Sequence, residues 1–116
     1  LVLSADSGVS PFCYYGQFSR LAGADAAIFT SFGGRFPFTE EVCRKICDGT
    51  ETEMGGLRSI FPVPSRGMKW QLFKKMVQVY GPDAIFLVGG ALLTESDDLT
   101  ANMHFYFEKL NEAVNK

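Results

Sequence analysis

The stretch that most constrains the fold is residues 84–90, Ala-Ile-Phe-Leu-Val-Gly-Gly, set between the Gly81-Pro82 turn and Ala91-Leu92-Leu93. An unbroken apolar run of strand length, bounded by a turn and a glycine pair, reads as a strand buried on both faces. Other elements must then cover both faces. Gly89 and Gly90 fall where such a strand delivers its carboxyl end, the edge at which parallel α/β folds bind ligands. Lacking Cβ atoms, they let backbone N–H groups come close to an anion such as phosphate. A plain turn accounts for the pair equally well when it is taken alone.

Runs of this kind alternate with helices along the chain. Ser10-Pro11 sets a capping hydroxyl before a proline suited to the first helical position, and Gly23 is a stop, which predicts a helix over 11–22. Its Phe12, Tyr15, Phe18, Leu21 and Ala22 recur at helical spacing and describe a packing face. Residues 26–29, Ala-Ala-Ile-Phe, suit a second buried strand, and residues 30–35 leave its carboxyl end. Thr39 can cap a further helix whose first turn carries Glu40 and Glu41 at the positive end of the dipole, ending near Cys47 or Asp48. The polar, glycine-rich residues 49–56 read as an exposed connection.

A short strand is expected over 59–63 in spite of Pro62 and Pro64, because its neighbours need a partner between them. A helix over 68–80 follows, with Trp70, Phe73, Val77 and Tyr80 inward and Gly81 as its stop. The last helix is expected over 99–114, with Met103, Tyr106, Phe107, Leu110 and Val114 on its inner face. The order is one helix and then three β-α units, an α/β class in which parallel strands are joined by right-handed crossovers. Three strands are too few to close a (β/α)8 barrel, so the order fits a small open sheet or the last arc of a larger barrel.

At 116 residues, with 47% hydrophobic and 21% charged residues, the chain has material for one modest core. A net charge of −2 gives no reason to expect nucleic acid or an anionic membrane surface, so a small anionic ligand would rely on local donors. No apolar run approaches membrane-spanning length, and Ser4-Ala5-Asp6 after Leu1-Val2-Leu3 leaves no signal peptide in view. Cys13, Cys43 and Cys47 form no Cys-x-x-Cys pair and have no nearby histidine, which fits reduced thiols in a cytoplasmic setting. The chain begins without methionine in what reads as the middle of a loop, as expected of a fragment.

All three strands deliver glycine-containing loops to one edge: Gly33-Gly34-Arg35, Ser65-Arg66-Gly67 and Gly89-Gly90. Neighbouring parallel strands set such loops side by side, and the last two strands of (β/α)8 enzymes are a frequent phosphate site. Here that site would comprise N–H groups at Gly67, Gly89 and Gly90, with Ser65 facing a substrate hydroxyl. Arg35 carries a permanent charge and a fork of donors for phosphate or carboxylate, or else pairs with Glu40 or Glu41. Arg66 is open to the same two readings, and Arg58 serves structure. His104 lies in the last helix far from every strand end, so no Ser-His-Asp or Cys-His set can be built, and Asp97 with Asp98 reads as capping rather than as a metal pair. The chain presents no general base.

Taken in order, Arg20-Leu21-Ala22-Gly23-Ala24-Asp25-Ala26-Ala27-Ile28-Phe29, Phe32-Gly33-Gly34-Arg35-Phe36-Pro37-Phe38, Gly56-Leu57-Arg58, Phe61-Pro62-Val63-Pro64-Ser65-Arg66-Gly67-Met68 and Leu87-Val88-Gly89-Gly90 resemble the ribulose bisphosphate carboxylase large-chain superfamily. More narrowly they resemble the RuBisCO-like proteins, which share the fold without fixing carbon dioxide. The likeness covers nearly the whole chain, in the order of the last three strands of that catalytic barrel.

The resemblance implies that residues 1–116 are the C-terminal segment of a (β/α)8 TIM-barrel domain, incomplete in this chain. It implies an active site that uses Mg2+ to stabilise an enediolate formed from a phosphorylated ketose or sugar acid. By the same resemblance, Ser65 and Gly67 match a seventh-strand motif that contacts substrate hydroxyls and phosphate. Gly89 and Gly90 match eighth-strand glycines that bind phosphate, and Arg35 stands at a mobile-loop position held by lysine in carboxylases. Ile28 replaces a phosphate-binding histidine and Arg66 replaces the middle glycine of the seventh-strand motif, departures that disfavour carboxylation.

The metal ligands belong to an earlier strand outside this chain. Expected partners are a phosphorylated small molecule and, for the full-length protein, a second copy in a homodimer, with no nucleic acid and no membrane. The full-length protein is then an isomerase, tautomerase or decarboxylase. Two other readings stand beside it: a non-catalytic α/β module that binds a phosphorylated ligand, and an interaction fragment whose exposed edge pairs with another subunit.

Overall fold

Pro62 and Pro64 decide how the sheet is laced. The computed structural model describes residues 8–33 and 38–115, and in it β1 (Ala26–Thr30) pairs in parallel with β2 (Phe61–Ser65), Ala26 opposite Phe61 and Thr30 opposite Ser65. In a parallel ladder alternate residues turn their N–H and C=O groups to opposite sides. Residues 61, 63 and 65 face β1, framed by bonds from Phe61 N to the Asp25 carbonyl (3.1 Å) and from Ser31 N to the Ser65 carbonyl (2.7 Å). Pro62 and Pro64 turn the other way, where they serve as acceptors only. A strand with two prolines is thus tolerated because both missing donors fall on one edge. It runs two residues later than the expected 59–63.

That edge receives residues 84–88. Ile85 N donates to the Pro62 carbonyl (3.0 Å) and Leu87 N to the Pro64 carbonyl (3.1 Å), but the strand expected over 84–90 is reduced to one parallel bridge, Ser65 to Leu87. The return bonds of a regular ladder would come from the N–H groups of residues 62 and 64, which proline lacks. Nor is this run buried on both faces. Ala84, Phe86 and Val88 pack against the core, whereas Ile85 and Leu87 are about half exposed.

The first helix departs from the expected α-helix over 11–22: a π-helix over Phe12–Gln17 continues as α1 (Phe18–Leu21). Ser10 does act as the cap, its Oγ accepting from Cys13 N at 3.2 Å. The helix crosses α2 (Glu40–Glu51) glycine to glycine, since a Cβ on Gly16 would overlap the Gly49 backbone and one on Gly49 would overlap the Phe12 carbonyl. Gly49 and Thr50 are therefore buried inside α2 rather than in an exposed connection. Thr39 caps α2 by accepting from Val42 N (3.1 Å), and Glu40 pairs with Arg44 (3.1 Å) and Lys75 (3.2 Å).

Residues 68–80 are not one helix. A 3-10 turn over Trp70–Leu72 leads into α3 (Phe73–Tyr80), which buries Phe73, Met76, Val79 and Tyr80, and Gly81 ends it at φ 79°. Unforeseen is α4 (Gly90–Leu93), one turn held by Thr94 Oγ1 bonding the Gly90 carbonyl at 2.9 Å. The last helix, α5 (Leu99–Val114), has the expected bounds and an Asp98 cap on Ala101 N (3.0 Å). Of the expected inner face, Tyr106 is buried and Leu110 packs against the core, but Asn102 is buried as well, and Met103, Phe107 and Val114 are exposed.

The core joins Phe29, Phe32, Cys43, Ile46, Met68, Phe73, Met76 and Tyr80, and covers the helix-facing side of the strands. Cys43 and Cys47 are buried free thiols, the small-hydrophobe role expected of them, and burial pushes the Cys47 thiol up to about 12. Arg20 is buried, and among the described residues no carboxylate pairs with it. Its guanidinium donates to the carbonyls of Arg58 (3.0 Å), Gly49 (3.2 Å), Thr52 (2.6 Å) and Leu57 (2.9 Å), which ties the end of α2 to the loop entering β2. No helix among the described residues is long and apolar enough to cross a membrane.

Candidate functional site

The loops after β1, β2 and the 84–88 segment converge. They border an open cleft of about 1040 Å³ whose lining includes Gly33, Ser65, Arg66, Gly67, Gly89 and Gly90. Of the expected site residues, Ser65, Gly67, Gly89 and Gly90 are therefore brought together, while Arg35 lies outside the described residues.

The glycines divide into two kinds. Gly33 (φ 88°) and Gly67 (φ 64°) hold the left-handed backbone that glycine adopts without strain, so turning alone explains them. Gly89 and Gly90 have no such conformation, and a Cβ on either would meet nothing within 4 Å. Internal packing does not call for glycine at these two positions. A side chain there would instead enter the cleft, the place where a ligand approaches the backbone.

Ser65 Oγ donates to the Phe29 carbonyl at 2.9 Å, which commits its proton and aims the remaining lone pairs away from that carbonyl. One layer down, Ser31, whose N–H holds the Ser65 carbonyl, shares a 2.6 Å hydrogen bond between its Oγ and the Tyr80 hydroxyl. Both partners are buried, and burial pushes the Tyr80 phenol well above its ordinary value. The base of the cleft is thus pinned to α3.

Charge at the cleft is one-sided. Among the described residues Arg66 and Lys69 are the charged ones in its lining, against a chain net charge of −2. Lys69 escaped the sequence reading because the helix was started at Met68; with helical structure beginning only at Trp70, Lys69 still belongs to the loop. Thr94 and Ala91 also line the cleft and follow from α4, for which four residues offered no periodic signal. His104 is exposed on α5 and shares no part of the cleft lining, and Asp98 is a cap, as expected.

A divalent metal does not fit the residues present. Among the described residues the cleft lining holds two cations and no acidic side chain, and no group of three or more His, Cys, Asp and Glu side chains could hold an ion. The arrangement suits binding and orienting an anion, through backbone donors at close approach and two cations at the rim.

No protein-family model matches the chain. Over 98 residues (84% of the chain) it is 40% identical to the 5-methylthioribulose-1-phosphate isomerase of Rhodospirillum rubrum, covering 26% of that protein. Over the same length it is 37% identical to ribulose bisphosphate carboxylase-like protein 1 of Rhodopseudomonas palustris, covering 27% of it. The crystal structure of a rubisco-like protein from Alicyclobacillus acidocaldarius superposes on 97% of the chain and 31% of its own length, with a TM-score of 0.80 at 24% identity. The chain thus spans about a quarter of the curated relatives' length, and its α/β architecture with parallel strands is that of the rubisco-like fold.

Proposed function

Because the chain belongs with the RuBisCO-like proteins over the segment it spans, we propose that it is the C-terminal, phosphate-contacting part of a non-carboxylating enzyme of that type. The full-length protein enolises a phosphorylated ketose or sugar acid, as an isomerase, tautomerase or decarboxylase. The name of the R. rubrum relative supports an isomerase acting on a pentulose 1-phosphate. The observation that carries the reading is the convergence of three strand-end loops on one cleft, with Gly89 and Gly90 open to it.

In this reading the N–H groups of Gly67, Gly89 and Gly90 hold the phosphate, and the Ser65 hydroxyl accepts from a substrate hydroxyl. Arg35 adds a further anion contact, proposed from the sequence alone. The Mg2+ that the family resemblance implies would take its ligands from outside this chain and would supply Lewis-acid stabilisation of developing negative charge, while the residues here only bind and orient. The half-exposed apolar row Ile28, Phe61, Ile85 and Leu87 favours a larger barrel, residues 1–116 being its C-terminal segment, over a self-contained three-stranded module. The full-length protein is proposed as a cytoplasmic homodimer without nucleic-acid or membrane partners.

The test is proton exchange on a panel of pentulose and hexulose phosphates by the full-length protein, with magnesium in the buffer, wild type against Gly90→Asp. Exchange by the wild type and its loss in Gly90→Asp are expected, because a carboxylate at residue 90 repels the phosphate. A wild type inactive across the panel, with no thermal shift on adding inorganic phosphate, removes the enzymatic reading.

A further inference from the structure

Asn102 is 2% exposed on α5, one turn before Phe105 and Tyr106, which pack into the core. A buried amide costs stability unless its polar atoms are paired, and an apolar side chain would fill the place without that demand. Here both ends are paired. Nδ2 donates to the carbonyls of Leu92 (2.8 Å) and Ser96 (3.0 Å), and Oδ1 accepts from Ser96 Oγ (2.5 Å). A flipped amide would set its oxygen against two carbonyls, so the surroundings admit one orientation.

All three bonds reach the stretch that follows Gly89 and Gly90. Leu92 N and Leu93 N donate to the Gly89 carbonyl (2.9 and 3.1 Å), and Thr94 N and Oγ1 donate to the Gly90 carbonyl (3.0 and 2.9 Å). The single turn of α4 thus locks residues 89–94 into one block. A helix of four residues does not hold its place by itself. The segment before it is laced to β2 by the amides of Ile85 and Leu87 alone. Packing of Ala91 and Leu92 on the core supplies adhesion, which has no direction, whereas the Asn102 bond to the Leu92 carbonyl is directional.

We propose that Asn102 is a positioning residue of the cleft: from behind the wall, outside the lining, it fixes through the Leu92 carbonyl where Gly89 and Gly90 present their backbone. This rests on the reading of those glycines as phosphate contacts and adds the residue on α5 that sets their place. A buried network that is fully satisfied specifies one arrangement, and here the arrangement specified is that of the cleft wall.

The experiment measures inorganic phosphate affinity by calorimetry, melting temperature and amide exchange at residues 89–94 in the full-length protein. The variants are Asn102→Leu, Asn102→Asp, Gly16→Ala and Gly90→Asp, all compared with wild type below their melting transitions. Leucine keeps the volume and removes the clip; aspartate keeps the shape and turns a donor into an acceptor facing two carbonyls. Both should bind phosphate about tenfold more weakly or worse, with faster exchange at residues 89–94. Gly16→Ala, at the helix crossing outside the cleft lining, should lower the melting temperature and leave the phosphate affinity as in wild type. Wild-type affinity in both Asn102 variants, while Gly90→Asp abolishes binding, overturns the role of Asn102 and leaves the phosphate site standing. Affinity that falls in step with melting temperature in Gly16→Ala and the Asn102 variants alike makes Asn102 a structural residue and also overturns it. A wild type that binds no phosphate removes the phosphate reading and this proposal with it.

Discussion

The two faces of the strand layer are built from similar residues and meet opposite fates. On one, Ala27, Phe29, Pro62 and Pro64 are sealed under α2 and α3, Phe29 retaining 2% of its accessible surface. On the other, Ile28 and Phe61 keep 59% and 49% and Ile85 and Leu87 stand beside them, while Val63, in register with Ile28 and flanked on both sides, keeps only 5%. Alternation along each strand sends neighbours in sequence to different faces, so the contrast between Ile28 and Phe29 cannot come from composition. It comes from what lies opposite. The sealed face holds the segment together, and on the open face Ile28 and Leu87 line the cleft. Burial inside these residues is thus a guide to stability, and exposure of large apolar residues here is what the proposed larger barrel would cover.

The sharpest way to break this contrast is to truncate both neighbours. Phe29→Ala should destabilise by about 3–5 kcal/mol, the range for a buried aromatic, and Ile28→Ala by about 1 kcal/mol or less in denaturant unfolding of the isolated segment. Equal losses would mean that the open face is closed by something within these residues. Next is Arg20→Met, expected to cost on the order of 3 kcal/mol because several carbonyls lose their donor at once. A hydrogen-exchange experiment should show the loop before β2 loosening first.

Gly16→Ala should cost about 1–3 kcal/mol by prising the π-helix from α2, read as a lowered melting temperature. Thr39→Ala removes one helix cap, for about 1 kcal/mol. Smallest is a pH effect on the sealed face. Burial raises the Cys47 thiol from 9.0 to about 12, so its neutral form favours folding and that contribution is complete below pH 9. As pH rises from 9 towards 12 the unfolded thiol ionises first and stability falls; Cys47→Ala should flatten that part of the pH profile.

Elements with a terminating chemical signal were legible in the sequence. The Thr39 and Asp98 caps and the Gly81 stop all stand where expected, and α5 was bounded to the residue. What escaped was set by tertiary contact. Gly49 reads as a loop residue until Phe12 and Gly16 are laid against it, and Arg20 carries no signal of its own until four carbonyls gather around it. The burial of Asn102 on α5 escaped because the helix's apolar residues extend around more than one face, so spacing alone could not choose between Met103 and Asn102 for the interior. In the cleft, glycines placed at strand ends were visible as a pattern. The contribution of Lys69 depended on where a 3-10 turn begins, which no periodicity encodes.

The one-way lacing along the second edge of β2 bears on how the cleft responds to load. Residues 84–88 hang from two carbonyls by the amides of Ile85 and Leu87, with no reciprocal stitches from the prolines, and Gly89-Gly90 follows at the free end of that seam. What keeps this wall in place is therefore side-chain packing more than lacing: Phe86 wedged against Phe73 and Tyr80 does for residues 84–88 what a full ladder does for β1 and β2.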